Sequence, residues 1–226
     1  EHELDKLTSE ICKDLKDLSS YMILFQSSTG LRIGELMGLT FDSFDFENKT
    51  LRINKAWDYK FTHNFTDTKN GVHRTIDLDD DTIYFIKPFY DRQRKMALTS
   101  KIKNVHNLVF VDRLMSPITV EAVVKALKRA CKRAGVREIR THGLRHTHAS
   151  ILLLHGVDIQ VVAKRLGDSV EVIQNTYAHL LQELEDKNKD LVLQASRSSL
   201  QKVRKEAEKK EKGNKKGRTP GKPLQQ

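Results

Sequence analysis

The sequence has few of the features that mark disulfide-rich, metal-binding or membrane proteins. Its 226 residues include only two cysteines, Cys12 and Cys131, which excludes a disulfide framework and a paired Cys-x-x-Cys metal site. No apolar run approaches the roughly 18 residues that a transmembrane helix requires. The segment 1–6 is too highly charged to be a signal peptide, and no internal repeat is present. These absences predict a protein of the reducing cytoplasm that has no membrane partner.

Positive charge is concentrated near the C-terminus. The formal net charge is +10, from 40 Lys and Arg against 30 Asp and Glu. Ten of the basic residues lie within 202–222, beside only three glutamates, and apolar periodicity ends near residue 201. We therefore predict a globular domain over residues 1–201 and a basic, disordered tail over 202–226, because nothing in the tail offsets the entropy cost of ordering. Such a tail suits nucleic-acid binding or simply solubility.

Hydrophobic periodicity predicts a mainly α-helical fold with one small antiparallel β-sheet, an α+β class. A helix is expected over 8–26, with a break near residues 19–20. Further helices are expected at about 32–38, 80–98, 119–134, 141–154, 158–166, 168–177 or beyond, and 182–200. Strands are expected at 50–54, 72–78 and 107–111, with a turn at Gly71.

Two basic motifs are candidates for binding an anion. Arg32 opens a predicted helix within Thr-Gly-Leu-Arg-Ile-Gly-Glu, where its guanidinium joins exposed backbone amides; the alternative is an ordinary surface ion pair with Glu35. His142 and Arg145 lie three residues apart on one helix face, which suits a phosphate, although a solvated face is the alternative. His142 and His146 have the spacing of a helical zinc site, but no third ligand is evident, so no metal is expected.

Two further residues have side chains suited to proton transfer and attack. Lys69 lies in a predicted hairpin turn, from which it can reach into a partner's groove, although most such lysines are merely solvated. Tyr177 ends a short predicted helix, where most tyrosines are packing residues. A phenol with a pKa near 10 becomes a nucleophile only when its neighbours stabilise the phenolate, as arginines on a shared phosphate do.

In chain order, these motifs resemble the tyrosine recombinase family. The resemblance rests on the Arg32 motif, Lys69, the His-Gly-Leu-Arg-His-Thr-His-Ala string from His142, and Leu-Gly-Asp-Ser before Tyr177, and it covers about residues 8–182. The sequence is most similar to integrases of phages and conjugative transposons from Gram-positive bacteria. The resemblance implies site-specific recombination, for integration or excision of a mobile element, without metal, ATP or other cofactor.

The resemblance also implies a role for each motif residue. Arg32 and Arg145 correspond to the arginines that clamp the scissile phosphate, and Glu35 to a carboxylate that supports the active-site helix. Lys69 corresponds to the general acid that protonates the leaving 5′ oxygen. His142 corresponds to a histidine that assists proton transfer and phosphate binding, and Tyr177 to the nucleophile that forms a 3′-phosphotyrosine intermediate.

The sequence departs from the family pattern at two positions. Gly143 stands where an acidic residue is usual, and Asp168 stands where the family has a His or Trp that donates a hydrogen bond to the phosphate. An ionised Asp only accepts hydrogen bonds. Three interpretations of Asp168 follow. The favoured one is that Asp168 caps the next helix, because it has capping-box spacing with Glu171. The others are that Asp168 is protonated beside the phosphate, or that it lowers activity.

The resemblance further predicts double-stranded attachment-site DNA as the partner. Family members carry additional DNA-binding domains ahead of this one, for which 226 residues lack room, and they act as tetramers on DNA and monomers when free. By position alone, residues 182–200 match a segment that packs onto a neighbouring protomer. A helix and its following loop carry the candidate DNA-backbone contacts, with a solvated amphipathic helix as the alternative: Lys125, Lys128, Arg129, Lys132, Arg133 and Arg140.

Two other functions are consistent with the same residues. A type IB topoisomerase uses the same nicking chemistry without strand exchange, and it would not need paired half-sites. A DNA-binding relative that has lost catalysis is the other alternative, for which Asp168 is the only indication. A purely structural role accounts for the basic tail but not for the ordered Arg, Lys, His-x-x-Arg and Tyr series.

Overall fold

The computed structural model describes residues 1–69 and 71–215, which form parts of two compact units, Glu1–Ala178 and a second unit that begins at His179. Eight α-helices occur in the described residues: α1 His2–Cys12, α2 Leu18–Thr29, α3 Ile33–Met37, α4 Asp80–Thr99, α5 Val120–Ala134, α6 Thr141–Leu154, α7 Ile159–Leu166 and α8 Val170–Lys215. None of these helices combines the length and apolar character needed to cross a bilayer.

Five short strands form two small antiparallel sheets, so the α+β class is confirmed, although one sheet was predicted. The strands are β1 Phe44–Asp45, β2 Thr50–Ile53, β3 Ala56–Asp58, β4 Asn64–Thr66 and β5 Arg74–Asp77. One sheet has the order β1-β2-β5, and β3 pairs with β4 in the other. The predicted strand at 107–111 is wrong: Leu108 and Val111 form only isolated bridges. Residues 108–111 are an apolar run buried on all sides, a pattern that periodicity cannot assign to a strand.

Helix α2 lies at the centre of the first unit, where it packs against α4, α5 and α6. Met22, Ile23 and Phe25 are all buried, so the helix is covered on every side. It ends at Gly30, whose φ of +69° is a left-handed conformation that glycine adopts without strain. A Cβ there would lie 2.7 Å from His148 Cδ2, so the glycine also allows α2 to end against α6. This ending places the following Arg32 beside the residues of α6.

Several helices begin at or next to the residues expected from the sequence. Thr119 and Asp158, the first residues of two predicted helices, cap α5 and α7 by accepting hydrogen bonds from backbone N–H groups. The break between α1 and α2 falls before Asp17, which accepts from the Ser20 N–H, rather than at residues 19–20. Arg140, rather than Thr141, is the N-cap residue of α6.

The described part of the second unit, residues 179–215, is helical throughout. The interruption predicted between the two helices falls at Tyr177, where the backbone angles are not helical, and residues 202–215 are helical where disorder was predicted. Lys, Glu and Ala have high helix propensity, and pairs one turn apart such as Arg204 and Glu208 (2.9 Å) add to it, so the segment forms a helix without a core. The rest of the predicted tail, residues 216–226, lies outside the described residues.

Candidate active site

A buried carboxylate, Glu35 on α3, organises one half of the candidate site. Its side chain is 1% exposed and accepts two hydrogen bonds from the Arg74 guanidinium on β5, at 2.9 and 2.8 Å. It also accepts from the backbone N–H of Arg32 at 3.0 Å and from Arg32 Nη1 at 2.9 Å. Burial raises the pKa of Glu35, but Arg74 and Arg32 outweigh that effect and hold the pKa below its usual value. Glu35 is therefore ionised at neutral pH and fixes the Arg32 guanidinium.

Arg145 on α6 organises the other half. Its side chain is 3% exposed and donates to the backbone carbonyls of Gly30 at 2.8 Å and Leu166 at 2.7 Å. These carbonyls end α2 and α7, so the guanidinium holds three helices together and keeps one edge directed at the site. Burial and the nearby Arg32 charge lower the pKa of Arg145, which remains charged.

The two arginines converge on Asp168, which follows α7. Arg145 Nη2 lies 2.6 Å from Asp168 Oδ2, and Arg32 Nη2 pairs with Asp168 Oδ1. The predicted capping role of Asp168 is wrong, because Ser169 Oγ accepts from the Val172 N–H at 3.2 Å at the start of α8. Two guanidinium groups that face each other need an anion between them, and the Asp168 carboxylate supplies it. The structure therefore defines an anion-binding site with an internal anion in it.

Tyr177 lies next to this cluster, at a position in α8 where the backbone departs from helical angles (φ −115°, ψ 18°). Its hydroxyl is 2.9 Å from Nδ1 of His146. The His146 ring in turn contacts the ring of His142, with 4.5 Å between centroids. Burial raises the pKa of Tyr177 to about 12; Arg145 opposes this effect and Asp168 adds to it. The phenol is therefore protonated in the free protein at neutral pH.

His142 is exposed to solvent at the edge of this cluster. It lies in the first turn of α6, one turn before Arg145 and His146. Partial desolvation and the nearby charges of His146 and Arg145 lower the pKa of His142. Within residues 1–69 and 71–215, no group of three His, Cys, Asp or Glu side chains is arranged to hold a metal ion.

Lys69 is the predicted site residue that the structure does not bring to the cluster. It is exposed in the connection between β4 and β5, in a turn that the Gly71 N–H closes on the Thr68 carbonyl at 2.8 Å. The predicted hairpin is wrong, because β4 and β5 belong to different sheets. Strand β4 pairs with β3, and β5 pairs with β2, and the residues of the turn between β4 and β5 do not specify these partners.

A second layer of buried residues, missed by the sequence analysis, supports the site. Arg74 Nε also donates to the Arg165 carbonyl at 2.8 Å, which ties β5 to α7. Arg165 Nε donates to His148 Nε2 at 3.1 Å, and His148 Nδ1 lies 3.2 Å from the Ser27 carbonyl. Burial and the Arg165 charge lower the pKa of His148 to about 4, so it is neutral at pH 7. One signal was available: Arg74 falls on the core-facing side of a strand that alternates with period 2, where an arginine needs a buried partner.

The predicted DNA-backbone residues form an exposed basic surface along α5 and its following loop. Arg133 pairs with Glu10 at 2.9 Å and Lys128 with Glu138 at 3.2 Å, which partly neutralises two of them. The other four side chains are exposed and form no ion pair with the described residues: Lys125, Arg129, Lys132 and Arg140. Arg140 is also the N-cap residue of α6, so one end of this surface adjoins the site.

Comparison with known proteins agrees with this architecture. The profile of the phage integrase family matches residues 1–184. A tyrosine recombinase XerC-like protein of Caldanaerobacter subterraneus subsp. tengcongensis is 30% identical, over 80% of this chain and 52% of its own length. The integrase of Staphylococcus phage L54a is 28% identical, over 74% of this chain and 50% of its own. The chain thus spans about half the length of these relatives.

Solved structures show the same fold. The crystal structure of XerA recombinase matches with a TM-score of 0.65 at 22% identity, over 84% of this chain and 64% of its own. The catalytic domain of bacteriophage HP1 integrase matches with a TM-score of 0.51 at 19% identity, over 80% of this chain and 85% of its own. The chain belongs to the phage integrase family and has the fold of the tyrosine recombinase catalytic domain.

Proposed function

We propose that this chain carries the active site of a site-specific DNA recombinase, the integrase of a mobile element. The enzyme breaks and rejoins DNA strands through a phosphotyrosine at Tyr177. The observation that carries the proposal is the convergence of Arg32 and Arg145 on one anion-binding position beside the Tyr177 hydroxyl. Relatives with this function support it, including the integrase of ICEBs1 from Bacillus subtilis. The similar fold of a Tn1549 integrase, solved in complex with circular intermediate DNA, supports DNA as the partner.

The scissile phosphate takes the position that the Asp168 carboxylate holds in the free protein. A carboxylate and a phosphodiester both present two oxygens that share one negative charge, so both match the edges of the Arg32 and Arg145 guanidinium groups. The two anions repel each other and compete for the same donors. DNA binding therefore requires Asp168 to leave the arginines, and the arginines then stabilise the charge that develops on the phosphate oxygens.

The chemical step forms a bond between Tyr177 Oη and phosphorus while the bond to the 5′ oxygen breaks. The leaving oxygen needs a proton, and Lys69, which is exposed in the connection between β4 and β5, is the candidate that supplies it. His142, exposed in the first turn of α6, assists at the phosphate. The phosphotyrosine conserves the energy of the phosphodiester, so a second strand can displace it without ATP. The two arginines supply the charge stabilisation, so no metal cofactor is needed.

The partner is double-stranded DNA with paired attachment sites, on which the protein acts as a homotetramer. The free protein is a monomer in the cytoplasm. The exposed basic residues of α5 and its loop contact the DNA backbone (Lys125, Lys128, Arg129, Lys132, Arg133 and Arg140). A DNA-binding relative without cleavage activity is the second candidate, because Asp168 engages both arginines that would hold the phosphate.

Trapping the covalent intermediate tests the proposal. The protein is incubated with a pool of nicked duplexes of random sequence, from which the cut fragment diffuses away, in the presence of EDTA. An adduct on a denaturing gel that Tyr177→Phe abolishes is expected, and sequencing the trapped DNA begins to define the site. DNA binding without an adduct would favour the second candidate. Relaxation of plasmids that lack the trapped sequence would instead favour a type IB topoisomerase activity.

A further inference from the structure

The histidine that contacts the candidate nucleophile is His146, and not His142, the histidine that the family resemblance assigns to proton transfer. His146 Nδ1 lies 2.9 Å from the Tyr177 hydroxyl, which is hydrogen-bond distance. His142 contacts the His146 ring, and among the described residues it forms no hydrogen bond with Tyr177. We propose that His146 is a catalytic residue, the general base that accepts the Tyr177 proton during cleavage and returns it during rejoining. This inference rests on the proposed function.

The direction of the hydrogen bond follows from the protonation state of the phenol. Because burial keeps Tyr177 protonated, its hydroxyl has a proton to donate, and a neutral imidazole nitrogen can accept it. The Nδ1 atom is then unprotonated and the ring proton lies on Nε2. In this arrangement the proton transfers along a hydrogen bond that exists before DNA arrives, which is the geometry that general base catalysis requires.

The fold fixes this pair relative to the phosphate site. His146 directly follows Arg145 on α6, and Arg145 is held by the carbonyls of Gly30 and Leu166. The guanidinium that binds the phosphate and the imidazole that contacts the nucleophile therefore occupy consecutive positions of α6. The His142 ring contacts the His146 ring in an edge-to-face arrangement, with 4.5 Å between centroids. No other histidine ring in the described part of the chain contacts Tyr177.

During cleavage the Tyr177 Oη–phosphorus bond forms, the phenolic proton moves to His146 Nδ1, and the 5′ oxygen leaves with a proton from a separate acid, for which Lys69 is the candidate. During rejoining a 5′ hydroxyl attacks the phosphorus and gives its proton to that acid's conjugate base. The phosphorus–Oη bond then breaks, and the His146 imidazolium returns its proton to Tyr177.

Two variants separate a base from a residue that only orients Tyr177. His146→Asn places an amide oxygen near the position of Nδ1, so it accepts the hydrogen bond but cannot accept the proton. His146→Ala removes both functions. We expect both variants to form the adduct about 10²- to 10⁴-fold more slowly than the wild type, the usual contribution of general base catalysis. Added imidazole is expected to rescue His146→Ala. If His146→Asn retains the wild-type rate, His146 is a positioning residue and the proposal is wrong.

The identity of the leaving atom provides a second test, on the trapped sequence. A 5′-bridging phosphorothiolate releases a thiolate, which needs no proton donor because the pKa of a thiol is near 8.5. With this substrate, a variant that lacks the base acting on the nucleophile still reacts slowly, whereas a variant that lacks the acid acting on the leaving group regains its rate. We expect the His146→Ala defect to remain and the Lys69→Ala defect to shrink. Restoration of His146→Ala by sulfur would assign His146 to the leaving group and overturn the proposal.

The proton position can also be measured without DNA, which keeps this inference separable from the proposed function. Nitrogen-15 NMR of the histidine rings, assigned with His146→Asn, reports which nitrogen carries the proton. We expect an unprotonated Nδ1 at pH 7.5 whose shift changes in Tyr177→Phe. A proton on Nδ1, or a nitrogen-15 chemical shift that is unchanged in Tyr177→Phe, would overturn the inference even if Tyr177 forms the adduct. Absence of any adduct with the expected NMR result would instead count against the recombinase function alone.

Discussion

Asp168 Oδ2 lies 2.6 Å from Arg145 Nη2, and the same carboxylate pairs with Arg32 through its other oxygen. Burial and the nearby Arg32 charge lower the pKa of Arg145, so the charge of its guanidinium is disfavoured by its surroundings. The carboxylate offsets this effect in the free protein. Asp168, which looks unfavourable for anion binding in the sequence, therefore holds the two arginines together in the free protein.

Replacing Asp168 with Asn should open the anion site. The amide cannot form ion pairs, so both arginines become available to an added anion, while the folded protein without anion loses stability. We expect sulfate to raise the unfolding temperature of Asp168→Asn more than that of the wild type at constant ionic strength. Sulfate at ten times its Kd adds about 1.4 kcal/mol. The control is Asp190→Asn, on an exposed part of α8. Equal responses of all three proteins would contradict competition between Asp168 and phosphate.

Arg74→Met should be strongly destabilising, because it removes the bidentate partner of a carboxylate that is 1% exposed. Removing one member of a buried ion pair costs about 3–5 kcal/mol, and the remaining pairing of Glu35 with Arg32 places this variant near the lower end. Urea unfolding measures the change.

A matched control is Arg52→Met on β2. Arg52 pairs with Asp42 at 3.1 Å, but its side chain is 55% exposed, so we expect a change below about 1 kcal/mol. The double variant Arg74→Met, Glu35→Gln should recover part of the loss, since it removes the unpaired charge. Similar costs for Arg74→Met and Arg52→Met would show that burial of the Glu35 pair contributes little.

Local signals predicted those parts of the fold that depend on neighbouring residues. Helix α5 was predicted correctly because Thr119 caps it, Gly135 ends it and its apolar residues repeat at helical spacing. The segment 107–111 was misassigned because an apolar run buried by surrounding elements carries no periodicity. Helix α8 continues through residues 202–215, against the prediction of disorder, because the high helix propensity of this segment stabilises a helix that has no apolar periodicity.

The candidate site likewise combines residues that local motifs predict with contacts that they do not. Arg32, His142, Arg145 and Tyr177 were found because each lies in a recognisable string, and the fold brings all four together. The pairing of Asp168 joins residues 136 and 23 positions apart, which no local pattern encodes. The capping prediction followed the spacing along the chain, and the arginines outweighed it because a carboxylate gains more from two guanidinium groups than from one amide.

His148 should make the folded protein sensitive to acid. Its pKa is about 4 in the folded state and about 6.5 when unfolded, so the unfolded chain binds more protons between these values. Stability is therefore fully present above pH 6.5 and falls as the pH decreases towards 4. The loss is about 2 kcal/mol at pH 5 and about 3 kcal/mol below pH 4.

Urea unfolding between pH 7.5 and 4.5 measures this effect. The comparison variant is His148→Asn, whose amide keeps a donor for the Ser27 carbonyl but does not titrate. It should be less stable than the wild type at pH 7.5 and lose less stability on acidification. A pH dependence of the same slope in both proteins would mean that other groups cause the acid sensitivity.

The basic surface of α5 should determine the salt dependence of DNA binding. Lys125, Arg129 and Lys132 are exposed at successive turns, so together they can contact consecutive backbone phosphates. Each phosphate contact contributes about 0.9 to the slope of log K against log salt. We expect the triple Gln variant to reduce that slope by up to about 2.7 in anisotropy titrations with non-specific duplex DNA.

The control removes the same net charge from another exposed region. Lys95, Lys101 and Lys103 lie at the end of α4 and in the following loop, and their triple Gln variant lowers the net charge equally. Long-range attraction responds to both triple variants alike, whereas counterion release responds only to lysines and arginines that contact phosphate. A reduced slope for the α5 variant alone assigns DNA contact to α5. If the two triple variants have the same slope of log K against log salt, α5 is a solvated helix whose charge contributes only to the overall electrostatic field.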